Sequence, residues 1–345
     1  MLDIKWCYLL VFFIFSGVQC MKVDRYEISM PNVRPNRPEL YICTPVKVDP
    51  SNPYYIIGFE PNATMHVVHH IILYGCTEPG ASLPVWNCGE MFGDSTDNPE
   101  FQPYSPCAAG SQIIYAWARD APRLLLPEGV GFKVGGDTAV QYLVLQVHYA
   151  HIEGFRDGHT DASGITLQYT RRPLTKEAGV LLLGTGGKIP ALSVENMETS
   201  CIMTENKEIH PFAYRTHTHA LGKEVQGYVV KKNNDVNKKD EWILLGKRDP
   251  MKPQMFYEVD VNTTIHKGDV MAARCVMKNY RSHETYIGST GKDEMCNFYL
   301  MYWVENAPPL ETKYCFSEGP PNYYWGLGDN LNNIPDPGYV TNALV

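Results

Sequence analysis

The chain has 345 residues, ten cysteines and a formal net charge of −8. Its longest basic runs are Lys231-Lys232 and Lys238-Lys239, which excludes the electrostatic footprint of a nucleic-acid binder. Beyond the N-terminus no segment approaches the roughly 18 apolar residues of a membrane span, so the reading is a soluble, exported protein.

In chain order, residues 1–20 read as a secretory signal. Lys5 is the basic element, residues 6–15 form the apolar run, and Val18 and Cys20 are small residues at cleavage positions. Setting aside Cys7 and Cys20 leaves Cys43, Cys76, Cys88, Cys107, Cys201, Cys275, Cys296 and Cys315. An even count in an oxidising compartment predicts four disulfides, with the connectivity open. The absence of a CxxC pair argues against a cysteine-rich zinc site. Asn62-Ala-Thr and Asn262-Thr-Thr are candidate glycosylation sequons.

Helical periodicity is scarce. Short β-prone segments recur at 54–59, 67–74, 113–118, 141–149, 165–169, 179–183, 224–230, 242–245, 269–275 and 298–304. Turn residues and 25 prolines punctuate them, which predicts an all-β fold of antiparallel, jelly-roll-like sandwiches. Residues 171–177 separate the first four cysteines from the last four. The expected layout is a domain over 21–172, a second over 173–315, and an extended or loose tail over 316–345.

Four motifs carry chemistry. Residues 66–70 read HVVHH. Neighbours in a regular strand face opposite ways, so His69 and His70 reach one metal only at a bulge or a strand end. One buried and one exposed histidine is the plainer alternative. Alternation over 141–149 puts Tyr142, Val144, Gln146 and His148 on one face. A single histidine there is commonly a core residue, and Gln146 is placed to orient a ligand histidine. Residues 214–220, YRTHTHA, put His217 and His219 on one strand face about 7 Å apart. Arg215 shares that face and suits a carboxylate. Residues 293–299, DEMCNFY, put Met295, Asn297 and Tyr299 on one face. Beside two histidines Met295 is a candidate thioether ligand, and thioether favours Cu(I). The pieces sort into a nitrogen site of His69, His70 and His148 and a mixed site of His217, His219 and Met295. Such donors suggest copper, whereas a zinc hydrolase would more typically carry HExxH.

The set HVVHH, LQVHYA, YRTHTHALGK and DEMCNFYLMYW, in this order, resembles the ascorbate-dependent two-copper monooxygenases, and among them the peptide-hydroxylating branch. The resemblance runs from about Pro31 through Cys315. It implies two β-sandwich domains facing each other across a solvent-filled cleft. His69, His70 and His148 would hold the copper that relays an electron. His217, His219 and Met295 would hold the copper that binds O2 and hydroxylates. Arg215, Asn297 and Tyr299 would grip the C-terminal carboxylate of a peptide, with Tyr41 beside it. Gln146 would link substrate and relay histidine. The implied bridges are Cys43–Cys88, Cys76–Cys107, Cys201–Cys315 and Cys275–Cys296. The implied activity is hydroxylation of the α-carbon of a C-terminal glycine, the first step of peptide amidation. It would use two coppers per chain, ascorbate and O2, outside the cell or in the secretory-granule lumen.

Departures from the family pattern are local. Relatives carry a further bridge near the mature N-terminus, whereas here Cys20 leaves with the signal and Ala162 stands where its partner is expected. The 88–107 loop looks longer than usual. His66, His151, His159, His210, His266 and His283 are left without a ligand role. Peptide hydroxylases are often fused to a lyase, and this chain ends 30 residues after Cys315. A hydroxylase served by a separate lyase is therefore expected. The alternatives are a catecholamine-type β-hydroxylase and a non-catalytic secreted copper binder.

Overall fold

The computed structural model describes residues 21–89, 98, 100–233, 238–288 and 290–337. The expected signal at 1–20 and the tail beyond 337 lie outside them. Antiparallel strands make up nearly all of the regular structure. In the first half, Tyr142–Tyr149 runs between Leu40–Lys47 and His70–Cys76 at the centre of a five-stranded sheet. Both faces of this strand are covered, and Leu143, Leu145 and Val147 are wholly buried. They share a core with Ile56, Phe59 and Ile165 of a second layer, where Phe59 stacks on Tyr115 at 4.5 Å. The second half packs Lys176–Thr185, Asn297–Glu305 and His210–His217 against a four-stranded sheet centred on Val270–Lys278 and Gly222–Lys231.

Leu40–Lys47 and Val194–Ile202 are strands that the hydrophobic pattern does not announce. The first contains Pro45. On its far side only Ile42 and Cys43 are paired, to Trp86–Asn87, so Pro45 leaves no ladder bond unmade there. The second is rich in polar residues and is fixed by a nine-residue ladder to Val270–Lys278.

The halves are joined more closely than a cleft between independent sandwiches. A short parallel ladder pairs Val130 with Lys176 and Gly131 with Glu177, which makes one sheet continuous across the boundary. Ala178, Val180, Leu182, Tyr299 and Met301 complete the core of the first half. Between the two histidine sets the remaining space is a cavity of about 370 Å3.

Four disulfides are formed, each within one half: Cys43–Cys88, Cys76–Cys107, Cys201–Cys315 and Cys275–Cys296. The tail was expected to be extended or loose, and its described residues are anchored on the second half. Tyr314–Ser317 pairs with Lys176–Thr185, and Trp325 is fully buried. The indole N–H donates to the Thr199 carbonyl at 2.8 Å, and Arg274 lies over the ring at 4.4 Å. An aromatic side chain able to bury this much apolar surface outweighs the loop-like composition around it.

Candidate metal centres

The first cluster forms at one end of the five-stranded sheet. The register sets His70 opposite His148, and His148 opposite Tyr41. His69 lies just before the first residue of strand His70–Cys76, outside the pleat, so the adjacent rings turn toward the same point. The three Nδ1 atoms stand 3.2, 3.3 and 3.4 Å apart. The mean edge divided by √3 puts the centre of this triangle about 1.9 Å from each nitrogen. That is close to the roughly 2.0 Å of a metal–imidazole bond. The three residues thus fit a metal ion.

Burial, then the neighbouring His148, draws His70 well below its ordinary pKa. The same causes bring His69 down to about 4, although His69 keeps part of its surface open to solvent. The rings of the metal-free protein are therefore neutral at pH 7 and ready to donate lone pairs. His148 Nε2 meets Glu39 at 2.7 Å, and Tyr41 stacks on the His148 ring at 4.0 Å.

The second cluster faces it across the cavity. Strand His210–His217 ends at His217, so His219 sits in the following turn and not on a continuing strand face. The two rings stand 5.5 Å apart, closer than strand rise would give. His217 Nδ1 donates to Gln254 Oε1 at 2.7 Å, and His219 Nδ1 donates to the Asp293 carbonyl at 3.2 Å. Both assignments leave Nε2 free as a donor to metal. Burial, then Arg215, pushes His217 well below the ordinary histidine range.

Asn297 pairs with His217 and Tyr299 with Arg215 across adjacent strands. Met295, Asn297, Tyr299, Arg215, His217 and His70 line a small cavity of about 20 Å3. Asn297 Nδ2 lies 3.7 Å from the Met295 sulfur. Arg215 is 3 % exposed, lies over the Tyr299 ring at 5.0 Å and donates to the Gln254 carbonyl at 2.8 Å. Among the described residues it has no carboxylate partner. Burial lowers its pKa, but a guanidinium keeps its proton.

Gln146, fully buried, gives its amide N–H to the Gly89 carbonyl at 2.7 Å. His210 stacks on Trp303 at 3.7 Å at the far end of its strand, away from both clusters.

Sequence reasoning missed Glu39, Gln254 and Glu294. Fully buried Glu294 accepts from the backbone N–H groups of His219, Ala220, Leu221 and Met295, the last at 2.9 Å. One carboxylate thus fixes both the turn that carries His219 and the residue that carries the thioether. The only signal was an acid beside a suspected ligand.

Residues 26–156 match the N-terminal domain of the copper type II ascorbate-dependent monooxygenases, and residues 176–327 match their C-terminal domain. The chain belongs to this family. The cofactors of the family are copper and ascorbate. The chain is 38% identical over 314 residues to peptidyl-glycine alpha-amidating monooxygenase of Mus musculus, covering 90% of this chain and 30% of that protein. Form A of Xenopus laevis is 35% identical, with 90% and 31% covered. Human dopamine beta-hydroxylase is 28% identical over 329 residues, with 89% and 50% covered. This monooxygenase chain spans about a third of the length of the amidating relatives.

Proposed function

We propose that this chain hydroxylates the α-carbon of a C-terminal glycine in peptide substrates, using copper, ascorbate and O2. The observation that carries the reading is Arg215. A buried guanidinium without a carboxylate partner is costly unless an anion completes it. Here it lies in one small cavity with His217 and Met295. A peptide carboxylate paired to Arg215 sets the glycine α-carbon beside these groups and keeps other C–H bonds away. Asn297 and Tyr299 would add hydrogen bonds to the same anion. An amine substrate such as a phenethylamine has no anion for Arg215, which argues against the catecholamine alternative. The greater identity to the amidating proteins supports the same choice.

In this reading His69, His70 and His148 hold one copper, and His217, His219 and Met295 the other. Copper, when bound, supplies one-electron chemistry between two oxidation states. The protein holds the ligand rings neutral and oriented. Glu294 and Gln254 fix the second set. A cavity of about 20 Å3 has room for about one water. The larger cavity of about 370 Å3, which His217 also lines, offers the room for a peptide terminus beside it.

The domain limits 21–172 and 173–315, export through a signal at 1–20, and glycosylation at Asn62 and Asn262 belong to the same proposal. Both asparagines are exposed. Among the described residues no helix is long and apolar enough to cross a membrane. The hydroxylated product would need a lyase to break its C–N bond and release the amide. The test is O2 uptake with copper and ascorbate, comparing a glycine-ended peptide with a phenethylamine. The peptide should be preferred by orders of magnitude, and preference for the amine would overturn the assignment.

A further inference from the structure

We propose that Glu39 is a positioning residue of the first metal centre: it fixes His148 with Nδ1 open to the point shared with His69 and His70. The proposal rests on reading that point as a copper position.

Glu39 Oε2 lies 2.7 Å from His148 Nε2. An ionised carboxylate can only accept, so the ring proton sits on Nε2. Nδ1 is then left with its lone pair, and Nδ1 is the atom that stands 3.2 and 3.3 Å from the other two rings. Tyr41 lies flat on the same ring, 4.0 Å away and 4° from parallel, so the ring cannot tip. Glu39 supplies the hydrogen bond and Tyr41 the stacking surface, two residues apart at the start of strand Leu40–Lys47.

The backbone supports the assignment. Glu39 has φ of 55°, in the left-handed region where glycine or asparagine is the ordinary occupant. Such strain persists where surrounding contacts hold it, and it gathers at functional positions. Here it delivers a carboxylate to a candidate ligand ring. His70 offers a contrast, because its Nε2 is buried with no hydrogen-bond partner. Among the described residues, His148 is the ring of the three with a carboxylate in hydrogen-bond reach.

Two consequences follow. Loss of the acceptor frees the tautomer and orientation of His148, which weakens Cu(II) binding. Loss of the negative charge alone favours Cu(I), because the carboxylate stabilises the higher charge on the metal.

The test uses the full chain carrying His217→Ala and His219→Ala, so that copper reports on the first centre. Cu(II) is titrated against a competing chelator, and the bound ion is reduced stepwise while its paramagnetic signal is followed. Glu39→Gly should bind Cu(II) at least about tenfold more weakly. Its metal-free melting midpoint should be no lower, because glycine relieves the left-handed strain. Glu39→Gln keeps an acceptor oxygen and should hold copper within a few-fold, but with the reduction potential shifted upward. Parent-like affinity in Glu39→Gly overturns the proposal. So does a fall in melting midpoint that accounts for the lost affinity, since Glu39 would then be structural. Failure of the parent itself to bind copper would instead sink the reading of the three histidines as a metal centre, and the role of Glu39 with it.

Discussion

In the proposed reading the sulfur of Met295, and not its side-chain volume, is the property in use. Met295→Ile keeps the volume, so stability should change by less than about 1.5 kcal/mol. Hydroxylation should nearly vanish and Cu(I) should bind more weakly, because the soft ligand is gone. Near-normal turnover in this variant, measured beside its melting curve, would make Met295 core filler. Arg215 is tested by changing the substrate instead of the fold. Arg215→Gln should cost roughly 2–5 kcal/mol in kcat/KM for a peptide ending in a free glycine acid, or about 30- to 5000-fold. The methyl ester of that peptide, which lacks the charge, should lose far less. Equal losses would make Arg215 structural. Arg215 was legible from strand spacing, whereas Met295 was legible only as a thioether near two histidines, since its strand begins at Asn297. Glu39, Gln254 and Glu294 were not, since each acts through a contact that only the fold creates. Glu294 reaches back 75 residues to the His219 backbone, and no local pattern encodes that contact.

Strands were legible where apolar residues alternate, as in Tyr142–Tyr149, and hidden where tertiary pairing overrides composition, as in Val194–Ile202. The His217/His219 pair shows the limit of period-two reasoning. The face assignment holds for Arg215 and His217, but the strand stops before His219, where Glu294 gathers the backbone N–H groups of the turn. In the segment after Cys315, polar composition concealed one dominant anchor. Trp325→Ala removes a fully buried indole, which donates to Thr199 and lies under Arg274. The expected cost is about 3–5 kcal/mol, seen as a lower melting midpoint, with turnover retained below the transition. An unchanged midpoint would mean that the tail is merely laid on the sheet.

Across the whole molecule, buried neutral histidines make folding depend on pH. His70, His148 and His217 all have pKa values lowered in the folded chain, chiefly by burial. The unfolded chain binds protons on these rings near pH 6.5, so their stabilising contribution is complete above that pH. It is lost as pH falls below 6.5 toward the folded values. The metal-free protein should therefore melt at progressively lower temperature from pH 7 to pH 5, and a flat profile would contradict the burial of these rings. The arrangement of the halves was legible only in part. Cysteine partition suggested a boundary near 171–177, but the parallel ladder and the shared core come from contacts between distant segments. Those contacts bring the candidate histidines of both halves to a single cavity, and the proposal that two coppers sit there is the central claim. Its most direct test is the copper content of the reconstituted chain. The account predicts two coppers per chain, falling to one in the His217→Ala, His219→Ala variant while the signal of the three-nitrogen centre persists. An unchanged copper content in that variant would contradict it.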